Sequence, residues 1–399
     1  MVEVYFLFKI LRGLLFLFYI FTSEKMTILK QHILASKPYR GGVSRGEVTQ
    51  KVGIERVYKM SSNENMLGAS PMALAAIQQY LPTINEYSYH DDDKLRDALA
   101  DSFSQKLHSD QFITGNSGME ILDLIARGFL DFNLEAIVST PTFGAYKSFS
   151  NVQGGKIVDV PLVGANFDLD VEGILMAVNE QTRLVFITNP NNPTGTFIPK
   201  ALTDALIYSL PPHVVVVYDE VYHHYVETND YARAVDYVAA GRNVIGLHSF
   251  SKSYGLAGIR LGYAFASKEI AAYLNQIRRP FMINTLTMEA GLAALKDIEH
   301  IKKTCAANAI GKQFIYEQFA DLGIQYWPSE ANFILFRSPC DNDVFVDSML
   351  ENGVMIRPCE LFGLPNHARV TVGTMEANQA FVAALKATVE AFELEEVVF

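Results

Sequence analysis

Cysteine is scarce in this chain of 399 residues: Cys305, Cys340 and Cys359 are the full set, odd in number and without pattern. Such a set builds no disulfide framework and reads as reduced thiols in a cytoplasmic protein. Neither C-x-x-C nor H-E-x-x-H spacing occurs, so zinc has no ligand pattern to rest on. Positive charge is also in short supply. Lys and Arg number 33 against 44 Asp and Glu, a formal net charge of -11. That excludes a nucleic-acid binder, which needs clustered cations. An anionic ligand must then be met by particular arginines, not by the overall field. Internal repeats and low-complexity linkers are absent. With 49% apolar and 19% charged residues the chain is globular, and its length suits a large domain plus a smaller one.

A clean membrane span is lacking as well. Residues 4–21 (VYFLFKILRGLLFLFYIF) are mostly apolar, but Lys9 and Arg12 lie inside the run. Each costs about 2.5–3.5 kcal/mol at mid-membrane, and the uninterrupted part, Gly13 to Phe21, is too short to cross. The next residues are TSEKM, without a small-residue cleavage site. Three readings of the extension at residues 1–30 stay open: a start upstream of a working start at Met26, an interfacial or anchoring helix, and a secretory signal. No membrane role is expected of the remainder.

Beyond it, short β-branched runs alternate with helical patterns. The runs are Phe112–Thr114, Ala136–Thr140, Leu184–Thr188, Val214–Tyr218, Val244–Ser249 and Gly262–Ala266. VVVVY at 214–218 is apolar at every position, as in a central strand covered on both faces. Between the runs lie amphipathic stretches such as Met119–Leu130 and Leu202–Leu210. The alternation predicts an α/β fold, a doubly wound, mainly parallel sheet over residues 63–282. Residues 283–399 read as a smaller α+β domain, with one long helix at Leu286–Phe319 and strands at Ile324–Trp327, Asn332–Phe336 and Arg369–Thr374. Residues 31–62 form an N-terminal arm.

In open α/β sheets ligands sit beyond the carboxyl ends of the strands, so the residues just past each run carry the functional signal. After Phe112–Thr114 comes GNSGMEIL. The N–H groups of Ser117, Gly118 and Met119 would open a helix and face an anion. After Ala136–Thr140 comes PTFGAY, with Phe143 able to lie against a flat ring. NPNNPTG succeeds Leu184–Thr188 and projects Asn192. Asp219 ends VVVVY, with Tyr222 three residues on. Ser249, Ser251, Lys252 and Arg260 lie in SFSKSYGLAGIRLG. Together these groups match what pyridoxal phosphate requires: an amine for its aldehyde, an acid opposite its ring nitrogen, donors to its phenolate oxygen, a stacking ring and a phosphate cradle. Lys252 would supply the amine, its pKa lowered by burial and a neighbouring arginine. Asp219 would pair with the ring nitrogen, Asn192 and Tyr222 with the phenolate oxygen. Ser249, Ser251 and Arg260 would complete the phosphate site. Plainer readings stand beside these. Asp219 could cap a helix, Asn192 could only form a turn, Tyr222 and Phe143 could be core residues, and GNSG could be any helix start. Adjacent His223 and His224 point apart along the chain and do not suggest a metal.

The ordered set N-P-N-N-P-T-G, D-E-V-Y and S-F-S-K-x-x-G-L-A-G-I-R-L-G resembles the fold-type I pyridoxal-phosphate aminotransferases, most closely the histidinol-phosphate aminotransferase group, from about Pro38 almost to the C-terminus. The resemblance implies a homodimer with shared active sites, working on an amino donor and a 2-oxo acid. It implies that Tyr87 reaches the neighbour's phosphate site. It further implies that Arg369 in ARVTVGT binds a carboxylate and Arg357 in GVMIRP a substrate phosphate. Tyr39 in KPYRGG, and Asn63 and Asn65 in SSNENMLG, fit the group's substrate-binding N-terminal pattern. Two departures stand out: Gly118 and Met119 replace the usual Ser and Asp of the Gly-rich turn, and Tyr87-Ser88-Tyr89 replaces Y-P-D. Other substrates remain open, namely an aromatic amino acid or a decarboxylase reaction on a phosphorylated amino acid. Outside the class, a non-catalytic α/β phosphate-binding protein also remains.

Overall fold

The structure, a computed structural model, describes residues 29–35, 46, 57–88 and 92–396. The apolar run at 4–21, Met26, Tyr39 and Tyr89 lie outside the described residues. In chain order the strands are β1 (Tyr58–Lys59), β2 (Phe112–Gly115), β3 (Glu135–Val138), β4 (Lys156–Asp159), β5 (Thr182–Thr188), β6 (Val215–Asp219), β7 (Val244–Ser249), β8 (Gly262–Phe265), β9 (Tyr326–Trp327), β10 (Phe333–Arg337), β11 (Val354–Met355), β12 (Arg357–Pro358) and β13 (His367–Thr371).

Seven of them form the main sheet in the order β2-β8-β7-β6-β5-β3-β4. β4, β3, β5, β6 and β7 run parallel. β8 runs against both its neighbours, β7 and β2. The expected mainly parallel α/β sheet is thus present, with one reversed strand. β6 shows why it sits at the centre: all five of its residues are buried. Val216 and Tyr218 join one apolar core, while Val215 and Val217 join another. That is the two-residue period of a strand whose faces are both covered by helices.

Two features escaped the pattern. β4, with the sequence KIVD, is partly exposed and charged at both ends. It lies at the sheet edge, where one face and one side need no apolar partner. The expected helix Leu286–Phe319 is two helices, Thr285–Lys296 and Ile298–Asp321. They break at Asp297, which leaves helical geometry and accepts from the His300 N–H at 3.2 Å, an N-cap in the middle of an apolar periodicity. Met288, Ala290 and Ala294 of the first helix belong to the core beneath the large sheet. That core therefore extends past residue 282.

The smaller unit has an antiparallel sheet ordered β12-β13-β10-β9. Its own core includes Phe319, Phe336, Phe345 and Phe381. β1 pairs in parallel with β11, so the segment just before Asn63 is fastened to this unit. No helix among the described residues is long and apolar enough to cross a membrane.

Candidate active site

A cavity of about 470 Å³ opens beyond the carboxyl ends of the parallel strands, where the open-sheet rule puts a ligand. It is lined by Ser117, Gly118, Met119, Phe143, Asn192, Asp219, Tyr222, Ser249, Ser251, Lys252, Arg260, Arg357 and Arg369. Residues from both the large sheet and the smaller unit converge there.

The Gly-rich turn after β2 leads into the helix Ser117–Phe129, with Ser117 at φ 79°. The first N–H groups of that helix have no partner within it. The helix start lies hard against the beginning of β8. A Cβ on Gly262 would stand 2.4 Å from the Gly118 nitrogen, so only glycine lets the two backbones approach this closely. Ser249 Oγ accepts from the Ser251 N–H at 3.0 Å. Arg260, in a left-handed conformation at φ 59°, donates to the Ala257 carbonyl at 2.8 Å.

Asp219 ends β6 as a buried carboxyl. It accepts from the Tyr146 hydroxyl at 2.7 Å and from the Val221 N–H at 3.2 Å. Burial pushes its pKa up to about 6, opposed by those two hydrogen bonds and by the Lys252 charge. No salt bridge to Asp219 occurs among the described residues. Lys252 Nζ donates to the Ser62 carbonyl at 3.4 Å and lies 5.6 Å from the centre of the Tyr222 ring. Burial, then the Arg369 charge, bring its pKa down to about 8, while Glu64 and Asp219 pull the other way. The buried Tyr222 hydroxyl accepts from the Asn63 amide at 3.0 Å.

Arg369 is buried. It donates to Asn192 Oδ1 and, at 2.8 Å, to the Ser61 carbonyl, and lies over the Phe333 ring. Arg357 and Arg369 occupy directly opposed positions of β12 and β13. Opposed residues of an antiparallel pair share a face, and like charges there repel. With Lys252 and Arg260, this makes four cationic side chains lining the cavity, in a protein of net charge -11.

Two of the expected residues, Asn65 and Tyr87, are elsewhere among the described residues. Asn65 does not line this cavity: its amide donates to the Ser253 carbonyl at 2.9 Å and to the Thr304 hydroxyl at 3.0 Å. Its neighbours Asn63 and Glu64 line the cavity instead. Tyr87 is 68% exposed and packs on Phe281 at 5.2 Å, away from the cavity of its own chain. Tyr39 lies outside the described residues. Sequence reasoning also passed over Tyr146, which lies in the helix Ala145–Val152 and meets the Phe143 ring edge-on at 5.6 Å.

These residues fit pyridoxal phosphate. The buried Asp219 meets no cationic side chain at contact distance among the described residues, and a protonated ring nitrogen would supply that cation. Lys252 is an amine of lowered pKa. The closely packed helix start presents backbone donors suited to a phosphate.

The comparisons agree. Residues 55–385 match the family model "Aminotransferase class I and II". The chain is 41% identical over 358 residues to the histidinol-phosphate aminotransferase of Moorella thermoacetica, covering 90% of this chain and 92% of that protein. It is 39% identical over 362 residues to that of Symbiobacterium thermophilum, covering 91% and 99%. The structure of histidinol-phosphate aminotransferase from Sinorhizobium meliloti in complex with pyridoxal-5'-phosphate superimposes with a TM-score of 0.81 at 25% identity, over 90% of this chain and 97% of that one. Fold and site define a pyridoxal-phosphate enzyme of fold type I. The chain belongs to the aminotransferase class I and II family, and it is an aminotransferase whose cofactor is pyridoxal phosphate.

Proposed function

We propose that the enzyme exchanges an amino group between histidinol phosphate and 2-oxoglutarate, a step of histidine biosynthesis, in the cytoplasm. The observation that carries this reading is the opposed pair Arg357 and Arg369 in the cavity wall. Two guanidinium groups held together suit a phosphate or a carboxylate arriving in alternate half-reactions, because each fork bonds two oxygens at once. The named activity of the relatives at 41% and 39% identity supports it.

Bound pyridoxal phosphate supplies an aldehyde for amine exchange and a ring that accepts the electron pair left when the substrate Cα–H bond breaks. Lys252 provides the resident amine. Its pKa near 8 leaves a neutral fraction at physiological pH, and once displaced by substrate it carries the Cα proton. Asp219 holds the ring nitrogen protonated. Asn192, whose carbonyl accepts from Arg369, would offer its NH2 to the phenolate oxygen, together with Tyr222. Phe143 covers the ring. The N–H groups of Ser117, Gly118 and Met119, with Ser249, Ser251 and Arg260, hold the cofactor phosphate. Arg369 binds the carboxylate of glutamate and Arg357 the phosphate of histidinol phosphate, with Tyr39 as a further substrate contact.

A homodimer is part of this proposal. Met72, Leu74, Leu81, Ile84 and Tyr87 are all exposed within residues 72–87, and the exposed Phe281 packs on Tyr87; exposed apolar groups gathered in this way suit a protein–protein contact. Tyr87 on that stretch would reach the partner's phosphate site.

The purified protein should be yellow, and borohydride should fix the cofactor to the Lys252 peptide, as read by mass spectrometry. Lys252→Ala should abolish transamination. In a panel of amino donors scored by half-reaction, histidinol phosphate and glutamate should both react. A protein that reacts with aromatic amino acids and ignores histidinol phosphate would refute the substrate assignment.

A further inference from the structure

Three buried hydroxyls, those of Thr142, Thr188 and Tyr146, form a run with Asp219 at one end and Asn191 at the other. Asn191 gives the run its direction. Its Nδ2 donates to the Pro141 carbonyl and to the Thr194 hydroxyl, both at 2.9 Å. Its Oδ1 is therefore an acceptor, and the Thr142 hydroxyl donates to it at 2.8 Å. A hydroxyl has one hydrogen. In the 3.2 Å contact between the two threonines, only Thr188 can then be the donor. Tyr146 stands 2.8 Å from Thr188 and 2.7 Å from Asp219.

Counting hydrogens gives two consistent arrangements. With Asp219 protonated, Asp219 donates to Tyr146, Tyr146 to Thr188, Thr188 to Thr142 and Thr142 to Asn191, so every hydrogen has an acceptor. With Asp219 ionised, Tyr146 donates to the carboxylate, Thr188 to Tyr146 and Thr142 still to Asn191. Only the link between the threonines opens. Neither arrangement strands a buried donor, which is the costly outcome in a closed interior.

We propose that Tyr146 is a positioning residue for Asp219, the end of a reversible hydroxyl run that holds this carboxyl in one orientation whether it is neutral or charged. The consequence rests on the proposed pairing of Asp219 with the cofactor ring nitrogen: the same side chain stays in place before the cofactor arrives and when it must be ionised afterwards. Lys252 favours its charge and Glu220 opposes it. Both lie outside the run and are unchanged by substitutions within it.

The test is the pH titration of the Asp219 carboxyl in the full-length protein freed of cofactor, read as the infrared carbonyl band missing from Asp219→Asn. Tyr146→Phe removes a donor to the charged form, so the midpoint rises by about one unit or more. Thr188→Val leaves the Tyr146 hydrogen without an acceptor only when Asp219 is protonated, so the midpoint falls. Thr188→Ser keeps the hydroxyl and stays at the native midpoint. Phe keeps the ring stacked on Phe186 at 4.8 Å and Val keeps the threonine volume, so a merely structural role moves neither midpoint. Opposite shifts establish the run, and shifts of one sign, or none, overturn it. The ring-nitrogen pairing is read separately, by the 15N shift of labelled cofactor in the Asp219→Asn holoprotein, so either idea can fail alone.

Discussion

Gly262→Ala is a sharp probe of the phosphate cradle because it adds one carbon outside the cavity and changes no charge. The new Cβ would stand 2.4 Å from the Gly118 nitrogen, 2.7 Å from the Ser117 carbonyl carbon and 3.2 Å from the Gly118 Cα. Comfortable carbon contacts begin near about 3.5 Å, so the helix start and β8 must part by roughly 1 Å. Forced separations of this kind destabilise by about 1–3 kcal/mol. The displaced elements carry the N–H groups that face the phosphate. Losing one hydrogen bond to a charged group weakens binding by about 1.5–3 kcal/mol, about ten- to a hundredfold in Kd. The assay is a titration of the cofactor-free protein with pyridoxal phosphate, monitored by absorbance, with thermal unfolding measured in parallel. Gly258→Ala is the control, since a Cβ there meets nothing within 4 Å, and it should bind as the native protein does. If Gly262→Ala bound the cofactor with native affinity and unfolded at the native temperature, the close approach would not be what shapes the cradle.

Arg357→Ala should raise KM for histidinol phosphate by about tenfold or more, the value of one charged hydrogen-bonding partner, and leave glutamate nearly untouched; half-reactions with each substrate check it, and equal losses would refute the phosphate role. The lowered pKa of Lys252 also predicts a pH dependence of stability. Between about 8 and the ordinary 10.5 the unfolded cofactor-free chain binds this proton and the folded one does not, so the penalty of burying the lysine, present in full below pH 8, is relieved as pH rises through that window. The denaturation midpoint of the native protein minus that of Lys252→Met should accordingly climb between those values, and a flat difference would show that Lys252 titrates normally.

Much of this protein is written locally in its sequence. The apolar run at 214–218 announces a central strand because both faces of that strand are buried, and burial on two faces leaves a mark that needs no partner to be read. Glycine turns, the Asn-Pro steps and the lysine in SFSK lie just past strand ends, so the rule that open sheets bind ligands there gathers them before the fold is known. Side chains that meet across strands are another matter. Arg357 and Arg369 face one another through the register of β12 on β13, and Tyr146 meets Asp219 over 73 positions. Asn63 reaches Tyr222 while Asn65, two residues later, turns to Thr304. Asp297 ends one helix and starts another inside a continuous apolar pattern. Composition and periodicity report how much of each residue is buried, a property of the single chain position. Register, pairing and the choice between two nearby asparagines depend on which distant surface arrives alongside, and that is decided only when the elements pack.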